Sequence, residues 1–134
     1  MDSTSIDLIG SKISAVSVEG DSVKIRFEPA YLIKTMTGSV ERTRWWQNCE
    51  LVFDGAELDD EQPLPVLPAD CAGGDVGENV YTYRDMIPLP LESRGRAHCD
   101  LRVSGSDLPI RVTAEAVTME VEDVPKYIEH LRAD

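Results

Sequence analysis

Between Arg96 and Val103 the chain alternates strictly. Ala97, Cys99, Leu101 and Val103 take one parity, and Arg96, His98, Asp100 and Arg102 take the other. A repeat of two sets apolar side chains on one face of a pleated strand and charged ones on the opposite face; a helix cannot satisfy it. Ser104-Gly105-Ser106-Asp107 then leads into a second alternating run through Ile110, Val112 and Ala114. Residues 96–121 therefore predict a β-hairpin.

The same period recurs upstream. Ile13 to Val18 and Val23 to Phe27 predict a strand pair turned by Glu19-Gly20-Asp21-Ser22, with Val23, Ile25 and Phe27 inward and Lys24, Arg26 and Glu28 outward. Glu28-Pro29-Ala30 predicts a chain reversal before Tyr31. Thr43 to Phe53 predicts a long strand in which Trp45 faces the core, and Trp46 faces outward or lines a cleft. Residues 54–78 carry Asp, Glu, Pro and Gly without sustained period and predict a long acidic loop around a short apolar island, Leu64 to Pro68. Pro88 and Pro90 share a parity, so the missing amides fall on one side, as an edge strand tolerates. After Ala116 the apolar parity switches to Val117, Met119 and Val121, which predicts a β-bulge near Glu115 to Val117. Asp123 as N-cap, Pro125, and the spacing of Val124, Tyr127, Ile128 and Leu131 predict a short helix over residues 123–131. The expected fold is all-β: an antiparallel sandwich or partly closed barrel of about seven to nine strands with one short C-terminal helix.

A chain of 134 residues fits a single domain, residues 1–134, and buries about two-thirds of its unfolded surface without disulfide or metal. Cys49, Cys71 and Cys99 are odd in number and lack paired short spacings, which reads as reduced structural thiols. Twenty-five acidic residues against 13 basic ones give a net charge of −12, which opposes a phosphate backbone and argues against nucleic acid as a partner. No apolar run reaches the roughly 18 residues of a membrane span, and Met1 to Ser5 do not follow a basic-then-apolar leader pattern. The expectation is a cytoplasmic protein without membrane contact.

No nucleophile elbow, phosphate loop or metal-ligand spacing stands out, so the chain reads as a binding protein rather than an enzyme, with no cofactor. The charge is uneven: between Arg44 and Arg84 lie nine acids and neither Lys nor Arg. Asp59, Asp60 and Glu61 are the densest part of that stretch and the candidate contact for a basic protein partner. Self-association through an uncovered sheet edge is a variant of this expectation. The alternative is a small-ligand barrel, or an enzyme built on one, with Trp46 at its mouth and His98 beside Asp100 as the suggestive polar pair. For His98 the simpler alternative is an outward surface histidine.

Overall fold

The computed structural model describes residues 3–35, 41–58 and 63–131. In chain order its strands are β1 (Ser3–Asp7), β2 (Lys12–Glu19), β3 (Ser22–Thr35), β4 (Arg42–Asp54), β5 (Glu57–Leu58) and β6 (Ala69–Glu78). They continue as β7 (Tyr81–Arg84), β8 (Met86–Leu89), β9 (Glu92–Val103), β10 (Ile110–Val121) and β11 (Lys126–Leu131). Among the described residues there is no helix.

Six strands close on themselves as β2-β3-β4-β10-β9-β6, each antiparallel to its neighbours. Alternation decides what enters the ring. Val23, Ile25 and Phe27 of β3, Cys49, Leu51 and Phe53 of β4, and Cys99, Leu101 and Val103 of β9 are buried in one apolar cluster. A six-stranded ring is narrow enough for side chains to fill it. Closure needs curvature, and the ladders slip at Ile13/Ala15, Phe27/Ala30, Cys71/Gly73 and Ala114/Ala116. Each slip adds local bend and twist. The slip on β10 answers the parity change in the sequence: Ile110, Val112 and Ala114 are buried before it, Val117 and Met119 after it.

Beyond the ring, β3 and β4 run on together. Their outer halves pair Ala30 to Thr35 with Arg42 to Gln47, and β1, β8 and β11 flank them to give the order β8-β1-β3-β4-β11. This is the sheet extension. β8, with Pro88 in it, is an edge strand as the prolines require.

Three expectations are corrected. Residues 126–131 form a strand, not a helix. Gln47 Nε2 donates to the carbonyls of Glu122 (3.2 Å) and Asp123 (2.7 Å), Asp123 turns at φ 55°, and β11 then finds an open ladder edge on β4. Tyr127 meets Trp45 edge-on at 5.4 Å, an aromatic contact the spacing had attributed to a helix face. Pro29 does not reverse the chain: β3 passes through it at the Phe27/Ala30 slip, where a missing N–H breaks no ladder bond. The stretch 54–78 is not one loop, since β5 extends the β4 side along β10 and β6 is a full member of the ring. Its glycines hid it, yet they are what the strand contact demands. A Cβ on Gly74 would collide with the Asp100 carbonyl, and one on Gly77 would lie inside the His98 ring.

Candidate functional site

The outer face of β6, β9 and β10 carries His98 and Asp100, two of the polar side chains the sequence singles out. Register aligns Arg84, Asp75, Asp100 and Arg111 in one row across β7, β6, β9 and β10. Arg84 Nε donates to Asp75 Oδ1 at 3.0 Å and Arg111 Nε to Asp100 Oδ2 at 3.1 Å. The Arg84 hydrogen bond holds the Asp75 carboxyl below its ordinary value. Two open grooves flank the row. One, of about 890 Å³, lies against the Ser104–Pro109 turn; the other, of about 440 Å³, lies between His98, Arg111 and Leu58.

His98 and Asp100 share this face, as two-residue spacing requires, but they do not act on each other. Asp100 is held by Arg111, and the His98 ring lies across Gly77 of the neighbouring strand. An acid–base pair needs a carboxylate that orients its imidazole, and this carboxylate serves an arginine. The thiols offer no nucleophile either. All three are free and buried, and burial pushes the Cys49 thiol up to about 12 and the Cys71 and Cys99 thiols upward as well. Among the described residues no three His, Cys, Asp or Glu side chains converge to hold a metal ion.

Trp46 lies elsewhere, on the sheet extension at the far end of β4. Its ladder partners are Tyr31 on β3 and Lys126 on β11. The Lys126 ammonium stands 4.5 Å from the Trp46 ring centre and the Arg44 guanidinium 4.6 Å from that of Tyr31. Burial holds the Asp7 carboxyl on the same face above its ordinary value, against the opposing pull of the Arg44 charge. On the reverse face Lys34 lies 4.2 Å from the Trp45 ring, and Trp45 packs at the margin of the core. The proposed trio Trp46, His98 and Asp100 is therefore not one site.

Asp59, Asp60 and Glu61 lie outside the described residues. Of the other acids in the stretch, Glu50 approaches Arg26 at 3.9 Å, Asp75 is bound by Arg84, and Glu78 accepts from the Tyr83 hydroxyl at 3.1 Å. Asp54, Glu57 and Asp70 have no such basic partner among the described residues.

Between them runs the apolar island. It joins β5, beside β10, to β6, beside β2, strands on opposite sides of the ring. Pro65 is buried and Leu67 packs on the core, while Leu64 is 40% and Val66 89% exposed. The sequence marks Leu64 to Pro68 as a short apolar island, but with all five residues apolar it does not show which are anchored and which project. The cation–aromatic pairs were not readable either, because Lys126 comes to Trp46 only through the strand that the helical spacing concealed.

Among the described residues no helix is long and apolar enough to cross a membrane. No protein-family model, curated protein or solved structure matches this chain.

Proposed function

We propose that this chain is a protein-binding domain that engages its partner through the stretch between β5 and β6. The observation that carries the reading is the state of residues 64–67. Pro65 and Leu67 tie the backbone to the barrel while Leu64 and Val66 project from it, Val66 with 89% of its surface exposed. An anchored, extended segment has already lost much of its conformational freedom, so a partner gains from its apolar side chains without ordering the chain first. Among the described residues neither Leu64 nor Val66 makes a hydrogen bond through its backbone, so the N–H and C=O groups of these two residues are open to a partner, while Pro65 between them has no N–H to donate. The acids around it favour a basic protein surface by steering its approach. The three buried free thiols suit a reducing, cytoplasmic setting.

The ligand-barrel alternative draws only on the grooves beside His98, since the inward positions of the ring are taken by core side chains.

The test is affinity capture of the tagged chain from its source lysate at low and moderate salt, alongside two variants. One is L64S/V66S and the other D59N/D60N/E61Q. The expected result is a bound protein that weakens with salt and is lost from both variants. Capture that both variants retain would overturn the reading.

A further inference from the structure

We infer that β7 is a self-pairing edge. Residues 80–84 of one chain add antiparallel to residues 80–84 of a second copy, which closes a two-fold dimer with the sheet running from one molecule into the other.

The edge is open. β7 pairs with β6 from Glu78–Tyr81 to Asp75–Arg84, and among the described residues no backbone bond reaches its other side. Sheet edges invite further strands unless proline, lysine, a bulge or shortness blunts them. β8 is blunted by Pro88, and β11 by a ladder slip with Lys126 and Glu129 beside it. β7 has neither proline nor lysine nor slip, and its one charge, Arg84, is held by Asp75. Its protection is its length of four residues, and Val80 adds a fifth to the stretch that can pair. Apolar surface is exposed along the same edge, with Val80 at 89% and Tyr81 at 63%. At the Arg84 end, the Leu8 N–H donates to the Asp85 carbonyl at 2.8 Å and Asp7 pairs with Met86, so exposed Ile9 and Met86 stand beside that end of the strand.

The order of residues makes the occupant a second copy. The ladder with β6 sets Tyr81 and Tyr83 on the face of Val76, and Thr82 and Arg84 on the face of Gly77. Antiparallel pairing about a two-fold axis normal to the sheet keeps these faces. Centred on Thr82, it sets each Tyr81 against a Tyr83, Thr82 against Thr82, and each Val80 against an Arg84. Aromatic and Thr–Thr pairs are favourable cross-strand neighbours. Centring on Tyr81 or Tyr83 matches tyrosine with tyrosine once and sets the other against Asn79 or Asp85. The Thr82 axis also carries the Val80 of each copy to the Arg84 end of the other, where Ile9 and Met86 are exposed. Two copies with net charge −12 each repel as whole bodies, but at physiological ionic strength the Debye length of about 8 Å confines the electrostatics to the surfaces in contact. At that contact Arg84 is paired with Asp75 and Arg102 with Asp85, and the Thr82 register sets no like charges opposite each other. A surface matched to itself is isologous, so assembly stops at two.

The experiment is sedimentation velocity of the purified chain over a wide range of concentration, with the variants T82K and T82E. Thr82 is exposed and meets its own counterpart at the axis, so each variant sets two like charges face to face. The wild type is expected to pass from monomer to dimer with concentration and to form nothing larger. Each variant alone is expected to lose the dimer, and an equimolar mixture to regain it as a 1:1 pair of lysine and glutamate chains. V80K, at the exposed tip of the β6–β7 hairpin and opposite the Arg84 of the second copy, is expected to lose the dimer too, which keeps the test decisive if the Thr82 variants impair folding. A wild type that stays monomeric at every concentration overturns the inference, as does a dimer that both Thr82 variants and V80K retain. A mixture of T82K and T82E that stays monomeric overturns the register centred on Thr82. Species larger than a dimer overturn the two-fold closure.

Discussion

At the scale of single residues, Arg26 shows how an acidic surface is made tolerable. It projects outward from β3, bonds Glu122 through both terminal nitrogens at 2.8 and 2.7 Å, bonds Glu28 through Nε, and approaches Glu50 at 3.9 Å. Its hydrogen bonds hold the Glu28 and Glu122 carboxyls below their ordinary value, with Ser14 assisting at Glu28. A carboxyl whose pKa falls on folding stabilises the fold above its unfolded pKa, and that contribution is lost as pH drops through the folded value. Arg26→Met keeps much of the aliphatic stem and removes the charge, leaving three carboxylates without their shared partner. Urea unfolding of the two proteins as a function of pH is expected to show the variant less stable at neutral pH. The gap should narrow as pH falls from about 5 toward 2, below the ordinary carboxylate range. A gap independent of pH would show that Arg26 acts through packing alone.

At the scale of elements, the readable strands were those whose alternation involves large side chains. Ala97 to Val103, Val23 to Phe27 and the phase change after Ala116 each translated into a buried face or a ladder slip. β11 was misread because Val124, Tyr127, Ile128 and Leu131 satisfy a helical spacing, and only the Gln47 bonds and the vacant edge of β4 decide against it. β6 was missed because contact between backbones leaves no apolar signature. Gly74, at φ 145°, faces the Asp100 carbonyl so closely that no side chain fits; Gly20, at φ 61° in the β2–β3 turn, meets nothing within 4 Å. Both glycines hold conformations that cost another residue about 1 kcal/mol or more, but only Gly74 also separates two strands of the ring. Gly74→Ala is therefore expected to lower unfolding free energy by about 2 kcal/mol or more beyond Gly20→Ala, as overpacked contacts do. Equal losses in denaturant titration would mean that β6 does not approach β9 so closely. The candidate site follows the same logic: His98, Asp100 and Trp46 were assigned correctly to outward parities, whereas their neighbours depend on β6 and β11.

Across the whole molecule, the three thiols sample the ring at separated points: Cys49 on β4, Cys71 on β6 and Cys99 on β9. Each is nearly inaccessible, and burial raises each pKa, so both access and thiolate formation require the barrel to open. A closed ring has no free edge from which strands peel one at a time, and its ladders tie residues distant in sequence. Opening is then cooperative, and reagent reaches all three sulfurs through the same event. Reaction with an aromatic disulfide reagent under native conditions is expected to be slow at every site. Sub-denaturing urea should accelerate the three equally, with the slope of global unfolding. Resolving the sites by mass spectrometry supplies the decisive comparison. Cys71 sits near the start of β6, where only Lys12–Asp70 and Ile13–Ala69 join that strand to β2. This short ladder is the narrowest closure in the ring. If Cys71 reacts first and with a shallower urea dependence, the β2–β6 seam opens locally and the barrel is a curled sheet held by a latch. A common rate and slope for all three would establish the ring as one cooperative unit.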